Sequence, residues 1–197
     1  LEELDESEMF ALFDELERET ATLWKEYKGA LDRQLAQRFG VGVDALRPWH
    51  YADPFFQEAP PTELSLDPFY AALDLVDLTE RYFSAVGFRI HDMVQRSDLF
   101  ERPGKSQHAF CMSVDRGADV RVLCNVTPSE RWMGTLLHEF GHAVYDQHLD
   151  PELPWLLRAH AHILSTEASA MLFGRLSRNS VWLREWAGAD AAALARH

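Results

Sequence analysis

Apolar positions near the N-terminus recur at helical spacing. Leu16, Leu23, Tyr27, Leu31 and Leu35 stand seven and four apart, an interval that lines up side chains on one helix face. The pattern predicts a helix from about Leu4 to Phe39, stopped by Gly40 and Gly42. From Leu46 to Leu66 the periodicity is lost, and Pro48, Pro54, Pro60 and Pro61 predict loop and short turns. Asp67-Pro68 then reads as an N-cap with proline at the first helical position. That second helix is expected to reach about Ala85, with Gly87 as its stop.

Further along, alternation replaces the helical period. QHAFCMSV and DVRVLCNV flank DRGA and read as an antiparallel hairpin, the single clear strand pair. Thr127-Pro128-Ser129-Glu130 has the form of a capping box with proline in its first turn. It opens a third helix that ends before Pro151, and a fourth is expected from about Pro154 to Leu176. The chain therefore reads as mainly α, with one small hairpin and no internal repeat.

Composition narrows the partners. The 197 residues are 47% apolar and 12% aromatic, enough for the core of one large domain or one lobe of something larger. Net charge is -13, and nine acids fall in the first 19 residues against Arg18 alone. That balance argues against nucleic acid and against anionic membrane surfaces. No apolar run reaches transmembrane length, and the acidic N-terminus does not resemble a signal peptide. Two cysteines, Cys111 and Cys124, suit a reducing compartment, so a cytoplasmic location is expected. The sequence opens on Leu1, which leads us to expect a processed chain or a piece of a longer one.

The chemistry concentrates in TLLHEFGHAVYD, residues 135–146. His138 and His142 are four apart and share a helix face, so each can offer one imidazole nitrogen to the same ion. Glu139 lies about 100° round from His138, within reach of a water on that ion. Zinc held by three protein ligands lowers the pKa of such a water to about 7. Glu139 is then the expected general base, and Gly141 leaves room beside the metal. The plain alternative is a helix with surface or satisfied core histidines. The cap and the flanking Leu136, Leu137, Phe140 and Val144 argue against it by placing the motif on a buried helix.

Two residues compete as third ligand. His148 stands six after His142, but peptidases with that spacing need a glycine where this chain has Tyr145. On a continuing helix His148 lies roughly 240° away and faces elsewhere. Glu167 stands 25 after His142, mid-helix among Ile163, Leu164, Met171 and Leu172. The short LDPEL connection lets its helix fold back over the histidines, and a carboxylate in apolar surroundings needs a partner. His160, seven residues earlier, is placed either to orient a ligand or the peptide, or simply at the helix surface.

GTLLHEFGHAVYDQ followed by LSTEASAMLFGRLSR resembles the glutamate-ligand zinc peptidases: oligoendopeptidase F, thimet oligopeptidase, carboxypeptidase Taq and angiotensin-converting enzyme. RPGKSQHAFCMSVDRGADVRVLCNV looks like the hairpin before their active helix, and RYFSAVGF and WHYADPFFQEAP are similar in order and position. The resemblance implies a helical zincin-type peptidase core that hydrolyses oligopeptides with one Zn2+ per chain. His138, His142 and Glu167 would be its ligands and Glu139 its base. Ala109, Phe110, Cys111, Met112 and Ser113 would bind the backbone of a short peptide by strand addition.

In those relatives a histidine and one or two tyrosines much further along stabilise the oxyanion. No matching segment occurs before His197. Residues 1–197 are accordingly expected to be one catalytic-core region of a longer two-lobed enzyme, completed by the rest of its own chain or by another subunit. Tyr145 and His108 are conceivable local substitutes. The competing function is a zinc-stabilised scaffold or peptide-binding module without turnover. Converting-enzyme relatives carry a cysteine pair similar to Cys111 and Cys124. A register placing the two opposite each other is possible, but two buried thiols are expected. Lys105 and Arg121 are candidates to steer a peptide carboxylate, or are merely solvated.

Overall fold

The structure, a computed structural model, describes residues 5–51 and 65–195. It divides into two compact units, 1–63 and 64–197. In the first, helix α1 runs over Glu6–Phe39. Its start is fixed by Asp5, whose carboxylate accepts from the Ser7 and Glu8 backbone N–H groups. Its end is fixed by Gly40, which takes a left-handed φ of 65° and donates back to the Ala36 and Gln37 carbonyls. The Lys28 ammonium bonds both Asp32 oxygens, at 2.6 and 2.7 Å, and the Tyr51 hydroxyl at 2.8 Å. The stripe that predicts this helix is mostly not core: Leu35 is buried, whereas Leu16, Leu23 and Tyr27 are exposed. Residues 52–60 of WHYADPFFQEAP, with Pro54 and Pro60, and Pro61 after them lie outside the described residues.

The second unit contains α2 (Asp67–Tyr70), α3 (Leu75–Ala85) and α4 (His91–Arg96), then strands β1 (Phe110–Ser113) and β2 (Val120–Leu123). Helices α5 (Glu130–Gln147), α6 (Ile163–Gly174), α7 (Ser180–Trp186) and α8 (Ala191–Leu194) follow. Among the described residues the fold is mainly α with a single two-stranded antiparallel sheet.

Three predicted helix starts move. The expected 67–85 helix breaks after one turn, because Asp74 accepts from the Val76 and Asp77 N–H groups at 3.0 Å and starts α3 afresh. Ser129, not Thr127, caps α5, its hydroxyl accepting from the Trp132 N–H at 3.3 Å. The expected 154–176 helix forms only a single 3-10 turn at Trp155–Leu157 before α6 begins. There His162 is the cap, accepting the Leu164 N–H at its Nδ1.

Helix α5 runs through the centre of the second unit's core. Met133, Leu136, Leu137 and Phe140 are fully buried with Phe83 of α3 and Val120 and Val122 of β2. Each such side chain contributes on the order of 1.5–3 kcal/mol, so the core fixes both the position and the rotation of α5. The hairpin pairs Phe110 with Leu123, Cys111 with Val122, Met112 with Arg121 and Ser113 with Val120. Cys111 therefore does not face Cys124; both thiols are free, Cys124 buried and Cys111 half-buried. Burial pushes the Cys124 thiol up to about 12 and Cys111 in the same direction. The far edge of β2 is taken by residue 98: the Asp98 N–H donates to Val122 O and the Cys124 N–H to Asp98 O, each at 3.0 Å. The outer edge of β1 has no strand partner among the described residues.

Candidate metal centre

The site forms where α5 and α6 pack on each other. Their backbones come close because the facing residues are small: a Cβ added at Gly141 would stand 2.8 Å from the Ala170 Cα. At such an approach side-chain ridges give way to backbone contact. The Ser169 hydroxyl bridges the same gap, donating to Gly141 O at 3.2 Å. Lower down, a Cβ at Gly174 would meet the His138 Cβ at 3.2 Å. Packed this way, α6 points Glu167 at the histidine pair of α5.

The His138 and His142 rings lie 4.8 Å apart between centroids and nearly perpendicular, at 85°. Glu167 faces both, with Oε2 at 3.7 Å from His138 Nε2 and Oε1 at 3.6 Å from His142 Nε2. One ligand atom from each of the three falls within 4.8 Å of the others. Zinc–ligand bonds of about 2.0–2.1 Å in a tetrahedron require ligand atoms about 3.4 Å apart, so this set fits zinc after a small contraction. Burial lowers the pKa of both histidines, and the neighbouring His138 lowers His142 further, while Glu167 raises each. The net effect favours neutral imidazoles, the form that binds metal.

Glu139 sits beside the triad and is buried. Burial, then repulsion from Glu167, pushes its pKa up to about 7, against a hydrogen bond from the Cys111 backbone N–H. That bond also shows that the outer edge of β1 faces the site. The cleft over the triad has a volume of about 300 Å³. Ala109, Phe110 and Cys111 line it from β1 and the residue before it, Asp146 from α5, and His160, Ile163 and Thr166 from α6 and the chain leading into it.

His138, Glu139, His142 and Glu167 are thus brought together, and His160 reaches the cleft wall. Of the strand residues, Met112 and Ser113 stay outside the lining, as do Tyr145 and His108. His148 turns away: its Nδ1 lies 2.8 Å from Val144 O and its ring packs edge-on against Phe88. Lys105 is no steering cation, since its buried ammonium binds Asp98, Phe100 O and Cys124 O. Arg121 is engaged by Asp119, at 2.8 and 2.6 Å.

Two residues escape the sequence reading. Thr166 places its Oγ1 2.7 Å from His142 Nδ1. Asp146, whose pKa is raised by burial and partly restored by His160, lines the cleft. Its position four residues after His142 is the signal that could have found it.

The helical core and a donor set of two histidines and a glutamate beside a buried carboxylate define a metal-dependent peptidase. A family model, carboxypeptidase Taq (M32) metallopeptidase, matches residues 44–174. That is two-thirds of the chain, and the chain belongs to this family. No curated protein matches it. No helix among the described residues is long and apolar enough to cross a membrane.

Proposed function

We propose that this chain holds one Zn2+ on His138, His142 and Glu167 and hydrolyses peptide bonds of short peptides, removing residues from the C-terminus. The observation that carries the proposal is the convergence of these three donors within 4.8 Å beside buried Glu139. The family's description as a carboxypeptidase supports the C-terminal preference. When bound, zinc supplies an acidified water and a Lewis acid for the scissile carbonyl.

The residues of the chain do the rest. Glu139 takes up a proton on its carboxylate and delivers it to the leaving amine. Glu139 is buried beside the triad, where one carboxylate can both accept and give a proton. The outer edge of β1, residues 109–113, aligns the substrate backbone as an added strand. Among these, Ala109, Phe110 and Cys111 lie closest to the chemistry. Strand addition requires an extended backbone, which supports a short-peptide substrate rather than a folded protein.

The test pairs zinc analysis with cleavage assays. The protein is expected to bind one zinc per chain. Glu139→Ala should keep the zinc and lose on the order of 100-fold or more in cleavage rate. Glu167→Ala should weaken zinc binding, and His148→Ala should not. A peptide with an amidated C-terminus should resist cleavage; internal cuts in it would mark an endopeptidase instead. Zinc retained with no cleavage by any form would favour the scaffold reading over the peptidase.

A further inference from the structure

We propose that Thr166 is a positioning residue that fixes which nitrogen His142 offers to the metal. The inference rests on the zinc reading of the triad but goes beyond its ligands. A neutral imidazole carries its proton on one nitrogen and its lone pair on the other, and the hydrogen bond made by the first decides the identity of the second. In His142 the two nitrogens have different neighbours. Nδ1 lies 2.7 Å from the Thr166 hydroxyl oxygen. Nε2 lies 3.6 Å from Glu167 Oε1, beyond hydrogen-bond reach. The Glu167 carboxylate attracts a proton on Nε2 only through space, whereas the Thr166 hydroxyl is within hydrogen-bond distance to accept one from Nδ1. The lone pair is left on Nε2, facing Glu167.

The placement of Thr166 supports this role. Thr166 and Ala170 are the two buried residues of α6, four apart and on one face. Ala170 is the residue that meets Gly141, so the same contact that seats α6 on α5 seats the hydroxyl against His142. In a helix threonine splits between two χ1 rotamers, and the contact with His142 Nδ1 favours the one seen here. Glu167 follows immediately in sequence, so one turn of α6 supplies a ligand from one residue and orients another ligand from the next. His138 has no comparable bond among the described residues. The two histidines are thus unequal: one is held in a single tautomer and the other relies on the ion to select it.

Nitrogen-15 NMR of the metal-free protein, at a pH where both imidazoles are neutral, reads the tautomer directly. His142 is expected to carry its proton on Nδ1 in wild type and in Thr166→Ser. In Thr166→Val, which keeps the shape but removes the acceptor, the proton should distribute over both nitrogens. Zinc affinity by chelator competition should fall about 10–100-fold in Thr166→Val and stay within about 3-fold of wild type in Thr166→Ser. Rescue by serine separates orientation from packing, since serine restores the hydroxyl but not the methyl group. A wild-type His142 protonated on Nε2 overturns the proposal, as does Thr166→Val binding zinc like wild type. If wild type binds no zinc, the triad reading fails, and the tautomer measurement still judges Thr166 by itself.

Discussion

Helices α5 and α6 meet at the site but are held by different forces. Eight residues of α5 are buried: Met133, Leu136, Leu137, Glu139, Phe140, Gly141, Ala143 and Val144. In α6 only Thr166 and Ala170 are buried, while Ile163, Leu164, Met171 and Leu172 are 59–70% exposed. A helix apolar on all sides is ordinarily enclosed; here the outer face of α6 is open. The core therefore fixes the histidines directly, whereas α6 and its Glu167 are seated by Phe173 packed on Phe83, by the close approaches at Gly141 and Gly174, and by two side-chain bonds. The two halves of the metal site should fail separately, and each variant below separates them further.

The largest expected effect lies on the α5 side and depends on pH. Glu139 is an acid whose pKa in the folded, metal-free protein is raised by burial to about 7, well above the ordinary carboxylate range. The folded state thus binds its proton more tightly than the unfolded state. The resulting stabilisation is complete below the unfolded pKa and is lost as pH rises through about 7. Glu139→Gln stays neutral throughout. Denaturant unfolding of the two metal-free proteins should converge at pH 4 and diverge by pH 8, with wild type weaker by roughly 3 kcal/mol. Glu167→Gln should remove a smaller share of that slope, since burial is the first cause and Glu167 the second. Parallel curves for wild type and Glu139→Gln would mean that burial of the carboxylate has been misjudged.

The next effect falls on the seam between the helices. Gly141→Ala places a methyl group 2.8 Å from the Ala170 Cα, a backbone atom that cannot swing aside. Displacing α6 should cost about 2 kcal/mol as overpacking, less whatever alanine returns in helix propensity. Because the displacement carries Glu167 with it, zinc affinity should drop while the α5 core stays intact. Gly134→Ala is the control. Its nearest neighbour is the Ser177 Oγ at 3.0 Å, and the next backbone atom is 3.6 Å away. The buried Ser177 hydroxyl holds Glu130 at 2.8 Å and need yield only slightly, so that variant should lose at most about 1 kcal/mol and be unchanged in zinc binding. Equal losses in the two variants would refute the idea that the seam at Gly141 sets the position of Glu167.

The same contrast explains what was legible in the sequence. The period of α5 reports burial, because its apolar residues do face the core, and the H-E-x-x-H spacing places both nitrogens on one face without help from elsewhere. Glu167 is legible as a carboxylate in an apolar run. The reason it works, however, is the Gly141–Ala170 approach, which no local pattern encodes. Helix starts slipped where a downstream side chain caps: Asp74 restarts the helix expected from Asp67, Ser129 replaces Thr127, and His162 starts the helix expected from about Pro154. In each case the downstream residue supplies the side-chain acceptor that satisfies free N–H groups of the first turn. Cys111 pairs with Val122, two residues from the Cys124 register that the sequence also allowed, since strand alternation fixes the face of a residue but not its partner. Thr166 was invisible because a threonine next to a glutamate means nothing until α6 is laid against His142.

The smallest effect isolates the polar part of the seam. Ser169 donates to Gly141 O, a carbonyl of α5, at 3.2 Å. Ser169→Ala removes the donor but leaves the small residue, so the Gly141–Ala170 approach survives. The carbonyl belongs to a helix interior and keeps its own i+4 partner, so it is not left unsatisfied. The loss should therefore be the net worth of one neutral hydrogen bond, about 1 kcal/mol, with zinc affinity within about 3-fold of wild type. Calorimetric melting of the zinc-free and zinc-bound forms measures both quantities. If Ser169→Ala weakened zinc as much as Gly141→Ala does, the polar bond rather than the close approach would be what aims Glu167. The order of importance on the α6 side would then have to be reversed.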